Sequence, residues 1–333
     1  MSDLPLPSFD DVKAAAGRIE NIAIQTPLLR NPVLDKMACA EIWIKPECLQ
    51  ATGSFKIRGA TNRLAQITNP AERAAGVVAY SSGNHAQGVA RAAKRFELPA
   101  MIVMPQDAPQ VKVDGVRRDG AEIHFYDRLT QSREDIAAEI ADARGAIIVP
   151  SYDDPDIIAG QGTMGLETAR ATMAADAPLD HFICCAGGGG LVAGTALAFE
   201  KVSPSTQIWT AEPQGFDDHK RSLEAGTICR ILDDAKTICD AIMTPEPGTL
   251  TFAINSQRLA GGFAVSEHEV QAAMAFAFTH LKLIVEPGGA VALAAALYGL
   301  PDAMKGQRIG VVLSGGNVDP ERYAAIIGGA KHS

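Results

Sequence analysis

Short apolar runs, rich in β-branched and aromatic residues, alternate along this chain with alanine-rich stretches of helical period. The runs are Val77–Tyr80, Met101–Met104, Glu122–Tyr126, Ala146–Val149, His181–Ala186, Gln207–Ala211 and Ile309–Leu313. The stretches between them include Gln87–Arg95, Gln131–Ala143, Leu191–Glu200, Glu267–His280 and Gly289–Tyr298. Repeated strand–helix alternation predicts α/β layers built on mostly parallel sheets. Open sheets of that kind bind ligands at the carboxyl ends of their strands. Several of these runs end directly on Gly, Ser, Asn or Pro, where such a site would lie. At 333 residues, 47% of them apolar, the chain is long enough for two cores. The division that fits is a small domain at 51–149 inserted into a large domain made of 1–50 and 150–333. Pro213–Thr251 reads as irregular polar chain around a site mouth.

A formal net charge of −9, with no basic stretch, argues against a nucleic-acid binder. No apolar run reaches the roughly 18 residues that a membrane-spanning helix requires. Met1–Pro5 lacks the basic-then-apolar pattern of a leader. The cysteines, Cys39, Cys48, Cys184, Cys185, Cys229 and Cys239, include no Cys-x-x-Cys pair. They read as reduced packing residues of a cytoplasmic protein.

Four polar or glycine-rich clusters carry the chemistry. Lys56 opens a predicted helix after the polar turn Thr52-Gly53-Ser54. Its apolar neighbours Phe55 and Ile57 help to desolvate the amine, which favours the neutral nucleophile. Gly187, Gly188, Gly189 and Gly190 follow one apolar run and precede a helix. Backbone N–H groups in such a turn converge on an oxyanion, and the helix dipole adds to them. No Lys-Ser/Thr follows, so this is not a Walker loop. Ser81-Ser82-Gly83-Asn84-His85 and Ser314-Gly315-Gly316-Asn317 also stand at strand ends. Each cluster alone reads equally well as a helix cap or a tight strand–helix turn. Together, a lysine and a phosphate-type loop outline a site for pyridoxal phosphate, held on Lys56 as an imine.

The same stretches, with Glu47, Ala159-Gly160-Gln161-Gly162-Thr163, Glu286-Pro287 and the run on to Asp319, resemble the threonine/serine dehydratase and serine racemase family. Its members are fold-type II pyridoxal-phosphate enzymes, like the tryptophan synthase β-subunit. The resemblance covers nearly the whole chain in matching order, and it implies two three-layer α/β/α domains. It implies that Lys56 carries the cofactor and later acts as the base at Cα. Phe55 would pack on the pyridine ring, Asn84 would meet the ring oxygen, and Ser314 the ring nitrogen. Gly187–Gly190 and Leu191 would hold the phosphate. Ser81, Ser82, Asn84 and His85 would hold the substrate carboxylate. In racemising members the serine matching Ser82 acts on the opposite face of Cα.

The resemblance further implies a divalent cation (Mg²⁺, Mn²⁺ or Ca²⁺) on Glu212, the Phe216 carbonyl and Asp218. Oxygen ligands suit a hard cation, and a solvated acidic loop is the alternative. Arg133 matches an arginine that approaches a second substrate carboxylate, against the alternative of a surface arginine paired with Glu134 or Glu139. The implied reaction is β-elimination from a hydroxyamino acid such as threonine, serine or 3-hydroxyaspartate, giving a keto acid and ammonia. An amino-acid racemase using Lys56 and Ser82 is the alternative, and a catalytically silent regulator a distant one. A homodimer is the family expectation. So little chain follows the Ser314 motif before Ser333 that a C-terminal regulatory domain is not expected.

Overall fold

The computed structural model describes residues 5–232 and 234–329. Met1–Leu4, part of the segment read for a leader, lie outside them. Two sheets organise the chain. The first has strands β1 (Glu41–Pro46), β6 (His181–Cys185), β7 (Gln207–Pro213), β8 (Leu259–Val265) and β9 (Arg308–Leu313). Their order is β1-β9-β6-β7-β8, and every neighbouring pair is parallel. The second has strands β2 (Val77–Tyr80), β3 (Ala100–Pro105), β4 (Glu122–Tyr126) and β5 (Ile147–Ile148), in the order β4-β3-β2-β5, again all parallel.

Parallel strands need crossover helices, and these cover both faces of each sheet. Pro287–Tyr298 packs on one face of the first sheet and Gly190–Val202 on the other. Asn84–Phe96 lies against one face of the second sheet and Arg133–Arg144 against the other, each with its own apolar cluster. Burial on both faces explains why most strands read as continuous apolar runs. Two strands escaped that reading. β1 carries the buried Lys45, and β8 is interrupted by Gly261 and Gly262.

The structure corrects the sequence reading of Pro213–Thr251 as irregular. It contains a helix, Asp218–Ala225, whose sequence DHKRSLEA has no apolar stripe to announce it. The 20-residue helix Pro155–Ala174 carries the Ala159–Thr163 motif. Asp154 caps it by accepting from Asp156 N and Ile157 N, and Pro155 pre-sets its first turn. Its glycines resemble turn signals in the sequence, but in the fold they are contact points. A β-carbon at Gly162 would stand 2.6 Å from the Gly194 carbonyl oxygen, so only bare backbone lets this helix cross Gly190–Val202 there.

A buried charge cluster ties the helix Lys56–Leu64 to the rest of the fold. Arg58, fully buried, donates from Nε and Nη2 to the two Glu47 oxygens, at 2.7 and 2.9 Å. It also reaches Glu167 on the long helix, at 2.6 and 2.9 Å. Lys45 of β1 donates to the same Glu167 at 2.6 Å. Burial alone would raise the Glu47 carboxyl, but the Arg58 charge and its hydrogen bonds hold it below the usual range.

Candidate active site

The strand ends and helix starts converge on one cleft. It is lined by Phe55, Lys56, the loop Ser81–His85, Gly187–Leu191 and Ser314, together with Arg133 and a mouth segment, Asp240–Thr244. About 870 Å³ of space lies within it, counted to its solvent mouth.

Lys56 is placed by a seam between its own loop and the turn after β9. Phe55 N donates to the Ser314 carbonyl at 3.1 Å, and Gly316 N to the Gly53 carbonyl at 2.9 Å. Asn317 Nδ2 donates to both the Thr52 carbonyl and Asn84 Oδ1, at 2.8 and 2.9 Å. The lysine amine sits 5.1 Å from the Phe55 ring centroid and donates to the Ser151 carbonyl at 2.7 Å. Among the described residues no carboxylate pairs with it. Although the side chain borders open cavity, dense protein around the amine pushes its pKa down to about 8, with Cys185 opposing slightly. Apoprotein should therefore capture pyridoxal phosphate faster as pH rises through about 8, then level off as the neutral amine saturates. Stopped-flow absorbance against pH reads this directly, and a flat profile would contradict it.

The glycine turn is shaped as an anion cradle. The Gly188 carbonyl accepts from Gly248 N at 3.2 Å and Thr251 Oγ1 at 2.6 Å. The Gly189 N–H, trans across the same peptide, therefore points the other way. Gly190 opens a 13-residue helix whose first-turn N–H groups have no intrahelical acceptor. Side chains are excluded from this turn. A β-carbon at Gly188 would enter the Tyr152 ring, and Gly189, at φ +90°, has His219 Nε2 2.7 Å from where its β-carbon would be. The open N–H groups of this turn and a lysine whose pKa burial lowers to about 8 make a set that fits a phosphorylated aldehyde.

Ser81–His85 runs from the end of β2 into the helix Asn84–Phe96, whose first-turn N–H groups are likewise open to an anion. Ser81 Oγ accepts from Gly83 N at 3.1 Å, and Ser82 lines the cleft half-buried. Asn84 donates to Glu286 Oε1. The His85 ring does not turn to a substrate. Its Nε2 lies 2.9 Å from the Val149 carbonyl, and burial together with the Lys56 charge lowers its pKa to about 3. It is a neutral ring, so His85 offers an anion its backbone N–H rather than its side chain. Arg133 reaches the cleft wall, 5.5 Å from the Tyr80 ring centroid, while donating to Glu134 Oε1 at 2.7 Å. Ser314 is uncharged and buried at the floor beside Cys185.

Tyr152 and Cys185 also line the cleft, and sequence reasoning did not select them, whereas Asp240–Thr244 falls within the Pro213–Thr251 chain that it set around the site mouth. Tyr152 sits soon after β5, and that position at a strand end was its one available signal.

Glu212, Phe216 and Asp218 lie together at the end of β7 and the start of the following helix, all buried. Glu212 accepts from His219 N and Lys220 N at 2.9 Å each, so it caps that helix. Asp218 Oδ2 has no partner. Burial and the neighbouring Asp218 push the Glu212 carboxyl well above its usual range. Among the described residues no three His, Cys, Asp or Glu side chains form a metal cluster. A cation here would therefore need the Phe216 carbonyl and water.

The cleft thus defines a class, and sequence comparison agrees with it. The family described as pyridoxal-phosphate dependent enzyme matches residues 19–315, and the chain belongs to that family. It is 44% identical over 326 residues to the L-threo-3-hydroxyaspartate ammonia-lyase of a Pseudomonas species, covering 98% of this chain and 100% of that one. It is 42% identical to the serine racemase of Schizosaccharomyces pombe, over 97% and 98% of the two chains. The structure of maize serine racemase superposes with a TM-score of 0.90 at 35% identity, over 96% of each chain. The fold is that of the fold-type II enzymes, as the sequence resemblance implied.

Proposed function

We propose that the chain is a pyridoxal-phosphate-dependent ammonia-lyase acting on a small hydroxyamino acid, with threonine, serine and 3-hydroxyaspartate as its candidate substrates. The observation that carries this reading is the meeting, in one cleft, of a Lys56 whose pKa burial lowers to about 8, a side-chain-free anion cradle and an uncharged Ser314. The similarity to the Pseudomonas hydroxyaspartate ammonia-lyase supports it. When bound, the cofactor supplies an electron sink for the pair left at Cα.

Gly187–Gly190 and Leu191 would hold the phosphate by backbone N–H groups, and Phe55 would pack on the ring. Asn84 would meet the ring oxygen and Ser314 the ring nitrogen. A serine hydroxyl there, unlike a carboxylate, would not hold a ring nitrogen protonated, and the cofactor would then favour loss of a β-substituent. The N–H groups of Asn84 and His85, with Ser81 and Ser82, orient the substrate carboxylate. Lys56 Nζ takes the Cα proton, and the ammonium so formed returns it to the β-hydroxyl, which leaves as water. The enamine that leaves hydrolyses in water to a keto acid and ammonia. Arg133 at the wall faces a second carboxylate where the substrate has one. Equimolar keto acid and ammonia from the holoenzyme test the assignment. D-serine outpacing pyruvate from L-serine would sink it in favour of a racemase, the reading that Ser82 in the same cleft and the S. pombe relative keep alive.

A divalent cation on Glu212, Phe216 O and Asp218 is part of the proposal. Two buried neighbouring carboxylates with one oxygen unpartnered gain by its charge. A ligand that binds only the native state at about 100 times its dissociation constant stabilises it by about 2.7 kcal/mol. Chelation should therefore lower the melting temperature, and added Mg²⁺, Mn²⁺ or Ca²⁺ should restore it. A melt indifferent to both would leave Glu212 as a helix cap. Residues 51–149 are proposed as the small domain, and a cytoplasmic homodimer as the working form. Among the described residues no helix is long and apolar enough to cross a membrane.

A further inference from the structure

We propose that Lys112 is a positioning residue of this site. Its ion pairs with Asp240 and Glu286 fasten the cleft's mouth segment to the loop Ser81–His85 and keep the Asn84 amide donating to Glu286. The inference rests on the reading that Asn84 faces the cofactor ring.

Lys112 lies on the helix Gln110–Arg118 and is fully buried, the reverse of a lysine's usual place. Its amine is 2.6 Å from Asp240 Oδ2 and 3.0 Å from Glu286 Oε2. Asp240 belongs to the mouth segment that lines the cleft. Glu286 accepts from Asn84 through its other oxygen, and Asn84 in turn accepts from Asn317. The lysine stem runs beneath the loop. A β-carbon at Gly83 would stand 3.0 Å from Lys112 Cδ and 3.2 Å from Nζ. One cation therefore joins three segments far apart in sequence.

The two carboxylates differ in what else they hold. Asp240 also lies 3.5 Å from Arg322, whereas Glu286 pairs with no other cation among the described residues. Burial raises the Glu286 carboxyl and Asp240 adds to that, while Lys112 and the Asn84 hydrogen bond oppose them. Without Lys112, Glu286 takes up a proton and becomes a donor itself. Asn84 then donates to a neutral carboxyl rather than to a carboxylate, and the charge-assisted hydrogen bond that holds its amide is weakened. Loss of the Asp240 pair frees the mouth segment instead. Lys112 thus has two separable effects, one read at the cofactor and one at the substrate.

The experiment compares holoenzymes of wild type, K112M, K112M/E286Q, E286Q and D240N by visible spectrum, cofactor dissociation constant, KM and kcat. K112M is expected to displace the visible band, weaken cofactor binding and lower kcat by roughly 10- to 100-fold, the range of a lost charge-assisted hydrogen bond. K112M/E286Q should show the same band as K112M, because glutamine and a protonated Glu286 both offer Asn84 a neutral oxygen. D240N should raise KM and leave the band in place. A folded K112M with the wild-type band and kcat overturns the role of Lys112 alone. A wild type that shows no band on adding pyridoxal phosphate overturns the reading beneath it as well. If K112M does not fold, E286Q and D240N decide: a band shift confined to E286Q supports the division of labour, and matching effects on KM and band overturn it.

Discussion

Lys56→Ala will abolish the visible band of the cofactor-loaded protein and reduce turnover by about 10⁴-fold or more, since it removes both the covalent anchor and the base. The fold should survive. Among the described residues the lysine amine makes one hydrogen bond, to the Ser151 carbonyl, and pairs with no carboxylate. The glycine cradle remains, so the variant should still bind the cofactor by its phosphate, reversibly and without the covalent spectrum. The measurement is an absorbance titration beside a melting curve. A variant that keeps the wild-type band would move the nucleophile to another residue.

Arg58→Met is expected to cost about 3–5 kcal/mol, because it strands buried carboxylates rather than deleting a balanced pair. Glu47 is fully buried and loses both of its arginine contacts, while Glu167 keeps Lys45. The helix that begins at Lys56 hangs on this cluster, so activity should fall with stability. Denaturant unfolding of Arg58→Met beside Arg58→Met/Glu47→Gln checks the cause. The double variant should recover much of the loss. A double variant no better than the single one would mean that packing, not charge, dominates.

The layered fold was legible because parallel strands covered on both faces must be apolar throughout, and such runs declare themselves. β1 and β8 did not, because Lys45 owes its burial to Glu167, a residue far away in sequence, and glycines blunt β8. The site was legible at the strand ends, where Lys56, the Ser81–His85 loop, Gly187–Gly190 and Ser314 line one cleft. Lys112 was not, since a lysine on a helix has no local mark of burial. Only the fold brings Asp240 and Glu286 to it. The same limit applies to His85. The family resemblance implied a contact with the substrate carboxylate, but the Val149 carbonyl, more than sixty positions along the chain, claims its ring.

The central claim is that this cleft breaks the Cα–H bond of a hydroxyamino acid and then expels the β-hydroxyl. The most direct measurement incubates the cofactor-loaded protein with threonine, serine and the 3-hydroxyaspartate stereoisomers. It follows keto acid and ammonia alongside the chirality of the remaining amino acid. The account predicts equimolar keto acid and ammonia from at least one of these substrates, absent in Lys56→Ala. Inversion of configuration that outruns keto acid on every substrate would contradict it.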